Sequence, residues 1–133
     1  LRNANLRGAD LGGAKLTRTN LSEANLMSAN LSDADLSEAN LYEAEMNQAY
    51  LYKTNLQKSN LSETHLSGAY LVRANLSEAD LSRTDLKWSN LSFANLAGAN
   101  LRGANLRGVK LHKANLTGAY LQNTLMPDGA IQD

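Results

Sequence analysis

The sequence predicts an all-β solenoid, in which the chain winds into a narrow coil and each turn of the coil pairs with its neighbours. Two observations carry this prediction. Leu recurs at every fifth position from Leu1 to Leu121, and Met46 is the one exception among the 25 positions. At the same period, from Ala4 to Thr124, a small residue stands two positions before the Leu site, and 17 of these 25 residues are Ala.

A period of five excludes the regular secondary structures. On an α-helix, Leu side chains five residues apart would lie about 140° apart around the axis. On a straight strand they would alternate between the two faces, because five is an odd number. One apolar face results only if the chain turns a corner once in every five residues, always in the same sense. The Leu and the small residue then point inward, and the other three residues point outward.

The polar positions and the backbone fit the same coil. Asn stands directly before the Leu site at 13 of 24 positions and Asp at 4, and both residue types, like Gly and Ser, tolerate corners. Backbone groups can find partners in the coils above and below, which gives a parallel ladder with about 4.8 Å between layers. Because Leu is not a favoured strand residue, burial inside the tube must hold this conformation.

The unbroken run of Ala-Asn-Leu-x-x units, such as Ala74–Glu78, resembles the pentapeptide repeat family over residues 1–126. The resemblance implies a right-handed quadrilateral parallel β-helix with four pentapeptides in each coil. The repeats then make about six coils, and the rod is roughly 30 Å long. We therefore expect a β-helix over residues 1–126 and a short C-terminal turn and cap over residues 127–133.

The two ends of the chain differ. At the C-terminus the period fails, and the run from Pro127 to Gly129 is typical of a tight turn. We expect Leu125, Met126 and Ile131 to fold over the last coil as a cap. At the N-terminus the pattern is already in phase at Leu1, which predicts an uncapped coil, end-to-end self-association through it, and a cut inside a longer protein.

Composition restricts the function. The 13 basic and 13 acidic side chains give a net charge of zero, which argues against a nucleic-acid partner. The lack of Cys excludes disulfides, thiol catalysis and thiolate metal sites. No apolar run is long enough for this segment to insert into a membrane. Charge also varies along the chain, because basic residues are in excess over 1–20 and 101–133, and acidic residues are in excess over 21–60.

No catalytic, cofactor-binding or metal site is predicted. His65 and His112 lie on different faces and more than two coils apart, so they cannot share a metal ion. Glu23, Glu43 and Glu63 form one column, but they stand on a convex wall without a nucleophile or a base to orient. We interpret them as solvated carboxylates.

Two further columns describe the outer surface, with members spaced 20 residues apart. One alternates in charge, and we expect ion pairs between its successive members: Arg18, Glu38, Lys58 and Glu78. The other predicts a ladder of side-chain hydrogen bonds: Asn55, Asn75, Asn95 and Asn115.

One surface is a candidate interaction site. Large apolar side chains gather on one predicted face and the adjoining side: Tyr50, Tyr52, Tyr70, Val72, Trp88 and Phe93. Basic residues flank them: Lys53, Arg73, Lys110 and Lys113. Exposed aromatic side chains beside basic ones favour a protein interface. Stacking of the tyrosines for stability alone is an alternative, and so is stacking on single-stranded bases, which the balanced charge disfavours.

The favoured function is that of a non-enzymatic structural or protein-interaction module, a rigid rod that is the repeat domain of a larger protein, with an unidentified protein partner and no cofactor. The family resemblance implies two alternatives. One is a DNA mimic that modulates a type II topoisomerase, and the other is the soluble domain of a membrane-associated cyanobacterial protein. We expect a cytoplasmic location, with a targeting or membrane segment before Leu1 as the alternative.

Overall fold

The structure is a computed structural model that describes all 133 residues. It contains no helix and no strand longer than one residue. Instead, isolated parallel bridges join residues that are 20 apart, from Asn5–Asn25 to Asn105–Leu125. Because the sequence repeats every five residues, an offset of 20 places four pentapeptides in each coil, and the coil has four faces. The short strands expected from the sequence are reduced to single-residue bridges, since each side spends the rest of its length in a turn.

The four faces are labelled by the Leu residues that they bury. Face A contains Leu21 and every position that differs from it by a multiple of 20. Faces B, C and D are defined in the same way from Leu26, Leu31 and Leu36, and each face includes the residues around its Leu positions. The bridges on face B continue in steps of 20 from Asn5 to residue 125, which is six steps along the coil. None of the chain forms a helix of the length and hydrophobicity that a membrane crossing requires.

The backbone amides explain why the coil needs no longer strands. In the unit Ala74–Glu78, the amides of Leu76 and Glu78 donate to carbonyls of the following coil at 2.7 and 2.9 Å. The amide of Asn75 donates to the preceding coil, and that of Ala74 closes the turn before it. The fifth amide, of Ser77, donates to the side-chain oxygen of Asn75 at 3.1 Å. All five N–H groups therefore have partners, as a stable backbone requires.

Each corner is a turn that runs from the Leu to the next small residue. The amide of the small residue donates to the Leu carbonyl, and the residue two positions after the Leu has a positive φ, which are the features of a type II turn. These φ values lie between 55° and 62° at 18 residues other than Gly, including Trp88 and Phe93. Left-handed backbone costs about 1–2 kcal/mol per such residue. No β-branched residue occupies this position, since its side chain would raise that cost.

The interior confirms that the Leu and small positions point inward. A cluster of 31 buried apolar residues runs from Leu21 to Val109, and almost all of them are less than 2% exposed. Some small positions carry Thr, and their hydroxyls donate to the Leu carbonyl 23 residues earlier at 2.7 Å: Thr54, Thr64, Thr84 and Thr124. The Ser89 hydroxyl is buried without a hydrogen-bond partner.

The predicted ladder of Asn side chains is confirmed, whereas the prediction of ion pairs along the charged column is wrong. Asn115 donates to Asn95 at 3.3 Å, and the ladder continues down the same face. No two of the residues Arg18, Glu38, Lys58 and Glu78 form an ion pair within 4 Å. An exposed ion pair is worth only about 0.2–1 kcal/mol, which does not offset the entropy lost when two long side chains are fixed.

At the C-terminus the chain folds back on itself. Ile131 forms an antiparallel bridge with Leu125, and the amide of Met126 donates to the carbonyl of Ala130 at 2.7 Å. The Ile131 side chain nevertheless stays 68% exposed, and leucines of the last coil, such as Leu116, are only partly buried. The residues after the repeats therefore form a hairpin, and a cap made by residues 127–133 stays a prediction.

Candidate functional site

Two tyrosines form the centre of the candidate surface. Tyr50 and Tyr70 are bridge residues of face C in successive coils, so the fold places them side by side. Their rings stack with centroids 5.2 Å apart and planes 3° from parallel. About half of each side chain is exposed, 48% and 49%. We call Tyr50 and Tyr70 the tyrosine pair; Asn30 and Asn90 flank it in the same column.

Trp88 lies in a turn of face B, next to the corner with face C. Its side chain is 66% exposed, and its indole ring lies over Gly108 in the following coil. A Cβ atom at Gly108 would overlap the indole ring, so only Gly leaves the space that the ring occupies. Gly108 also has a φ of +69°, a conformation that Gly adopts without steric cost. Gly108 therefore leaves room for the indole to lie over the backbone of the following coil.

A shallow groove of about 480 Å³ separates Trp88 from the tyrosine pair. Gly68 lines it, and the absence of a side chain there leaves the space open. The amide side chains of Gln48 and Asn90 add hydrogen-bonding groups, and Lys110 supplies the single charged group of the lining. The groove therefore presents aromatic side chains together with polar groups at the surface, the mixture that is common at protein interfaces.

A second aromatic cluster lies at the opposite edge of face C, in the turns toward face D. The guanidinium carbon of Arg73 lies 5.0 Å from the centre of the Phe93 ring, and the Lys113 ammonium lies 5.9 Å from it. His112 contacts the same ring edge-on, with centroids 5.5 Å apart. Two cations thus cover one exposed ring, an arrangement that attracts further π or anionic groups.

Tyr52 and Val72 each directly follow a buried Leu of face C. Their position therefore lies between that of the tyrosine pair, before the Leu, and that of Phe93, two residues after it. Tyr52 is 42% exposed, and the ammonium of Lys53 lies 5.4 Å from the centre of its ring. Val72 is half-buried in the next coil. All six candidate residues therefore lie on face C or at its corner with face B. The structure brings Tyr50, Tyr70 and Trp88 together around one groove, whereas Phe93, Tyr52 and Val72 do not line it.

Sequence reasoning missed Gly68, Gly108 and Tyr120. The two glycines shape the groove. The sequence could have indicated them, because Gly stands 20 residues before and 20 residues after the large side chain of Trp88. Tyr120 is 48% exposed and lies on face A, where the Arg102 guanidinium carbon is 4.6 Å from its ring centre. It stands apart from the other aromatic residues, which makes it a natural control.

A second, shallower depression of about 330 Å³ lies where faces A and B meet. Its walls are Glu43, Glu45, Glu63, His65 and Arg83. Arg83 donates to Glu63 at 2.6 Å, and this hydrogen bond and charge raise the pKa of the guanidinium. His65 lies 3.9 Å from Glu45. The chain contains no group of three or more side chains placed to hold a metal ion, and the carboxylate of Glu63 is occupied by Arg83.

Comparison with known proteins identifies the repeats. The family model for pentapeptide repeats matches eight copies, over residues 1–33, 29–68, 49–87 and 89–126. The comparison with curated proteins gave no match.

Several solved structures are similar to this chain, including three from cyanobacteria. HetL from Nostoc sp. strain PCC 7120, a pentapeptide repeat protein involved in heterocyst differentiation regulation, is 39% identical, with a TM-score of 0.53. The alignment covers 99% of this chain and 68% of HetL. The pentapeptide repeat protein alr5209 from Nostoc PCC 7120 is 44% identical with a TM-score of 0.59, over 60% of this chain and 66% of that one.

A third pentapeptide repeat protein, from Cyanothece 51142, is 40% identical with a TM-score of 0.37. That alignment covers 77% of this chain and 64% of the other. The chain thus spans about two thirds of the length of these relatives. The matched repeats, the bridges between residues 20 apart and the identity to HetL agree, and this chain belongs to the pentapeptide repeat family.

Proposed function

We propose that this chain is a non-enzymatic interaction module, a rigid right-handed β-helical rod that presents face C to another protein. The observation that carries the proposal is the groove between Trp88 and the tyrosine pair. Three large aromatic side chains, each 48–66% exposed, border a single groove. Aromatic residues are enriched at protein interfaces, and exposed apolar patches of this kind mark interaction sites.

The scaffold is suited to this role because it is stiff. Each coil is bonded to the next by several backbone hydrogen bonds per face, and the Leu core is continuous along the rod. A partner that binds such a surface loses little free energy in ordering it, which favours affinity. The aromatic walls are held by backbone pairing and by packing against Gly108, so the groove exists before a partner arrives.

The distribution of titratable groups supports a non-enzymatic role. His65 lies on face B and His112 on face C, and His112 contacts Phe93 rather than a nucleophile. His65 shares an open depression with Glu43, Glu45 and Glu63, where Arg83 pairs with Glu63. General acid–base catalysis uses groups whose pKa values are tuned by burial, which an open depression does not provide.

A pull-down experiment tests the proposal. The wild-type chain, a groove variant and a control variant would be used as baits in the same extract. The groove variant carries Tyr50→Ser, Tyr70→Ser and Trp88→Ser, and the control carries Tyr120→Ser on face A. We expect at least one protein that wild type and control retain equally and that the groove variant loses. Identical sets of proteins on all three baits would refute the proposal.

A second candidate function is mimicry of DNA toward a type II topoisomerase. Residues 21–60 favour it, since six acidic and two basic side chains lie there, including Glu23 and Glu43 on face A. Two features make the column of Glu23, Glu43 and Glu63 less like a DNA backbone. Arg83 pairs with Glu63, and the chain as a whole has no net charge. A supercoiling assay with gyrase separates the two candidates, because a DNA mimic in excess must change the rate of supercoiling and a module that acts through face C need not.

A further inference from the structure

One part of face C carries basic residues and no acidic ones. Four consecutive sides of this face span residues 49–53, 69–73, 89–93 and 109–113. They contain no Asp and no Glu, and they carry four basic residues: Lys53, Arg73, Lys110 and Lys113. The two earlier sides of the face, residues 9–13 and 29–33, carry Asp10 and Asp33 and no basic residue, so the basic part of face C begins at Lys53.

None of these four cations forms an ion pair within 4 Å. The ion pairs of the chain involve Arg2, Arg83, His65 and Lys87, all of which lie on faces A and B. On face C, by contrast, Lys53, Arg73 and Lys113 lie over the rings of Tyr52 and Phe93. A cation held over a ring keeps its full charge for a partner, and the ring fixes its position.

The cations and the groove form one surface of mixed character. Lys110 lies in the lining of the groove itself, beside the tyrosine pair and Trp88. Arg73 and Lys113 stand at the far edge of the same face, over Phe93. A ligand that follows face C therefore meets aromatic rings and polar side chains in the groove at one edge, and positive charge at the groove and at the other edge.

We infer that face C binds an acidic peptide segment that also carries apolar side chains. An apolar side chain of the segment would enter the groove between Trp88 and the tyrosine pair, and carboxylates would pair with Lys110 and with the cations over Phe93. The inference rests on the proposed function and adds the chemistry of the partner. Complementary charge across an interface accelerates encounter and excludes partners of the wrong sign.

The charges favour a peptide over the other occupants of such a surface. Single-stranded nucleic acid would use the same rings, but proteins that bind it present a longer basic track, and this chain has as many acidic as basic residues. A second copy of the chain that approached with its own face C would meet like charge, which costs free energy. A peptide needs to match only a few cations and one groove.

A selection from a random peptide library displayed on phage tests the inference directly. The immobilised wild-type chain is the target, and the Tyr50→Ser, Tyr70→Ser, Trp88→Ser variant is used in parallel. We expect enriched peptides that carry a net negative charge together with Leu, Phe or Trp. Peptides that are neutral or basic, or no enrichment over the parallel variant, would overturn the inference.

The affinity of the best enriched peptide is then measured by fluorescence anisotropy. Neutralising face C should weaken binding about tenfold or more, whereas neutralising four exposed cations elsewhere should change it by less than about twofold. The face C variant carries Lys53→Gln, Arg73→Gln, Lys110→Gln and Lys113→Gln, and its control carries Arg7→Gln, Lys15→Gln, Arg18→Gln and Lys58→Gln, which are exposed on faces B and D. Circular dichroism checks that both variants keep the wild-type fold.

The outcomes separate the inference from the function on which it rests. Binding that is lost with the aromatic variant but unchanged by charge neutralisation refutes the acidic partner and keeps the interaction surface. Binding that is unchanged by both variants refutes both. Tighter binding of an oligothymidylate through the same residues assigns the face to nucleic acid, and self-association that the face C variant abolishes assigns it to a second copy. Each of these two results overturns the inference.

Discussion

Tyr50 and Tyr70 form a parallel bridge one coil apart, and their rings stack 5.2 Å apart and within 3° of parallel. The register of the coil therefore produces the stack, since any two residues 20 apart at this position are neighbours. The same register places Trp88 beside the pair and opens the groove between them. The stability of the coil and the geometry of the candidate site thus depend on the same backbone pairing.

The tyrosine pair predicts a measurable coupling. Tyr50→Ser and Tyr70→Ser should show a coupling of about 0.5–1.5 kcal/mol in a double-mutant cycle, because each ring loses its stacking partner. Urea unfolding measures it. The control cycle combines Tyr50→Ser with Tyr120→Ser, which lies on another face, and these two effects should add. A coupling in the first cycle no larger than in the control would mean that the stack does not contribute to stability.

Gly108 predicts a steric test of the groove wall. Gly108→Ala should destabilise the chain by more than the roughly 1–2 kcal/mol cost of a positive φ, because its Cβ would overlap the indole of Trp88. Gly98→Ala is the control, since it has a φ of +68° and its Cβ would meet only the Cγ of Glu78, at 3.6 Å. In a Trp88→Ala background the excess cost should disappear. An equal cost with and without the indole would show that the ring does not lie over Gly108.

Two buried serines predict effects of opposite sign. Ser59 donates its hydroxyl to the carbonyl of Leu56 at 2.7 Å, whereas the hydroxyl of Ser89 has no partner. Ser59→Ala should destabilise the chain by about 0.5–1.5 kcal/mol, and Ser89→Ala should be neutral or stabilising, since it removes an unpaired buried hydroxyl. Thermal unfolding monitored by circular dichroism compares them. A loss of stability for Ser89→Ala as large as that for Ser59→Ala would contradict this reading.

Asp35 predicts a dependence of stability on pH. Hydrogen bonds from the side chain and backbone of Ser37 hold the pKa of Asp35 below its usual value of 3.8. A carboxylate with a lowered pKa contributes stability above its unfolded pKa and loses it as the pH falls through the folded pKa. Compared with Asp35→Asn, the wild-type chain should therefore lose stability on acidification below about pH 4. Parallel pH curves for the two chains would contradict the lowered pKa.

Much of the fold follows from the period alone. A Leu at every fifth position can be buried on one side only by a coil with a corner in each repeat, and the structure buries Leu21–Leu106 in this way. The exact corner residue was not predictable from local propensity. Asn, Asp, Gly and Ser were expected at the corners, and Gly does occupy several positions of positive φ. Other such positions carry residues such as Glu78 and Trp88, and the Asn before each Leu instead accepts the hydrogen bond of a nearby amide. Burial and pairing between coils override the local preference at these positions.

The candidate site was predictable only in part. The spacing of 20 residues placed Tyr50 and Tyr70 together and put Trp88 on the adjoining side. The groove could not be predicted, because it depends on glycines in neighbouring coils and on the conformation of one indole ring. The charged column failed for a similar reason, since alternating signs do not hold flexible exposed side chains within 4 Å of each other.

Site-specific photocrosslinking tests the central claim, that the groove of face C is the interaction surface, most directly. A photoreactive residue at Gln48, in the groove, is compared with one at Lys58, an exposed residue at the equivalent turn position of face D. We expect a covalent complex with one partner from position 48 and none with that partner from position 58. Equal yields of the same complex from both positions, or a complex from position 58 alone, would contradict it.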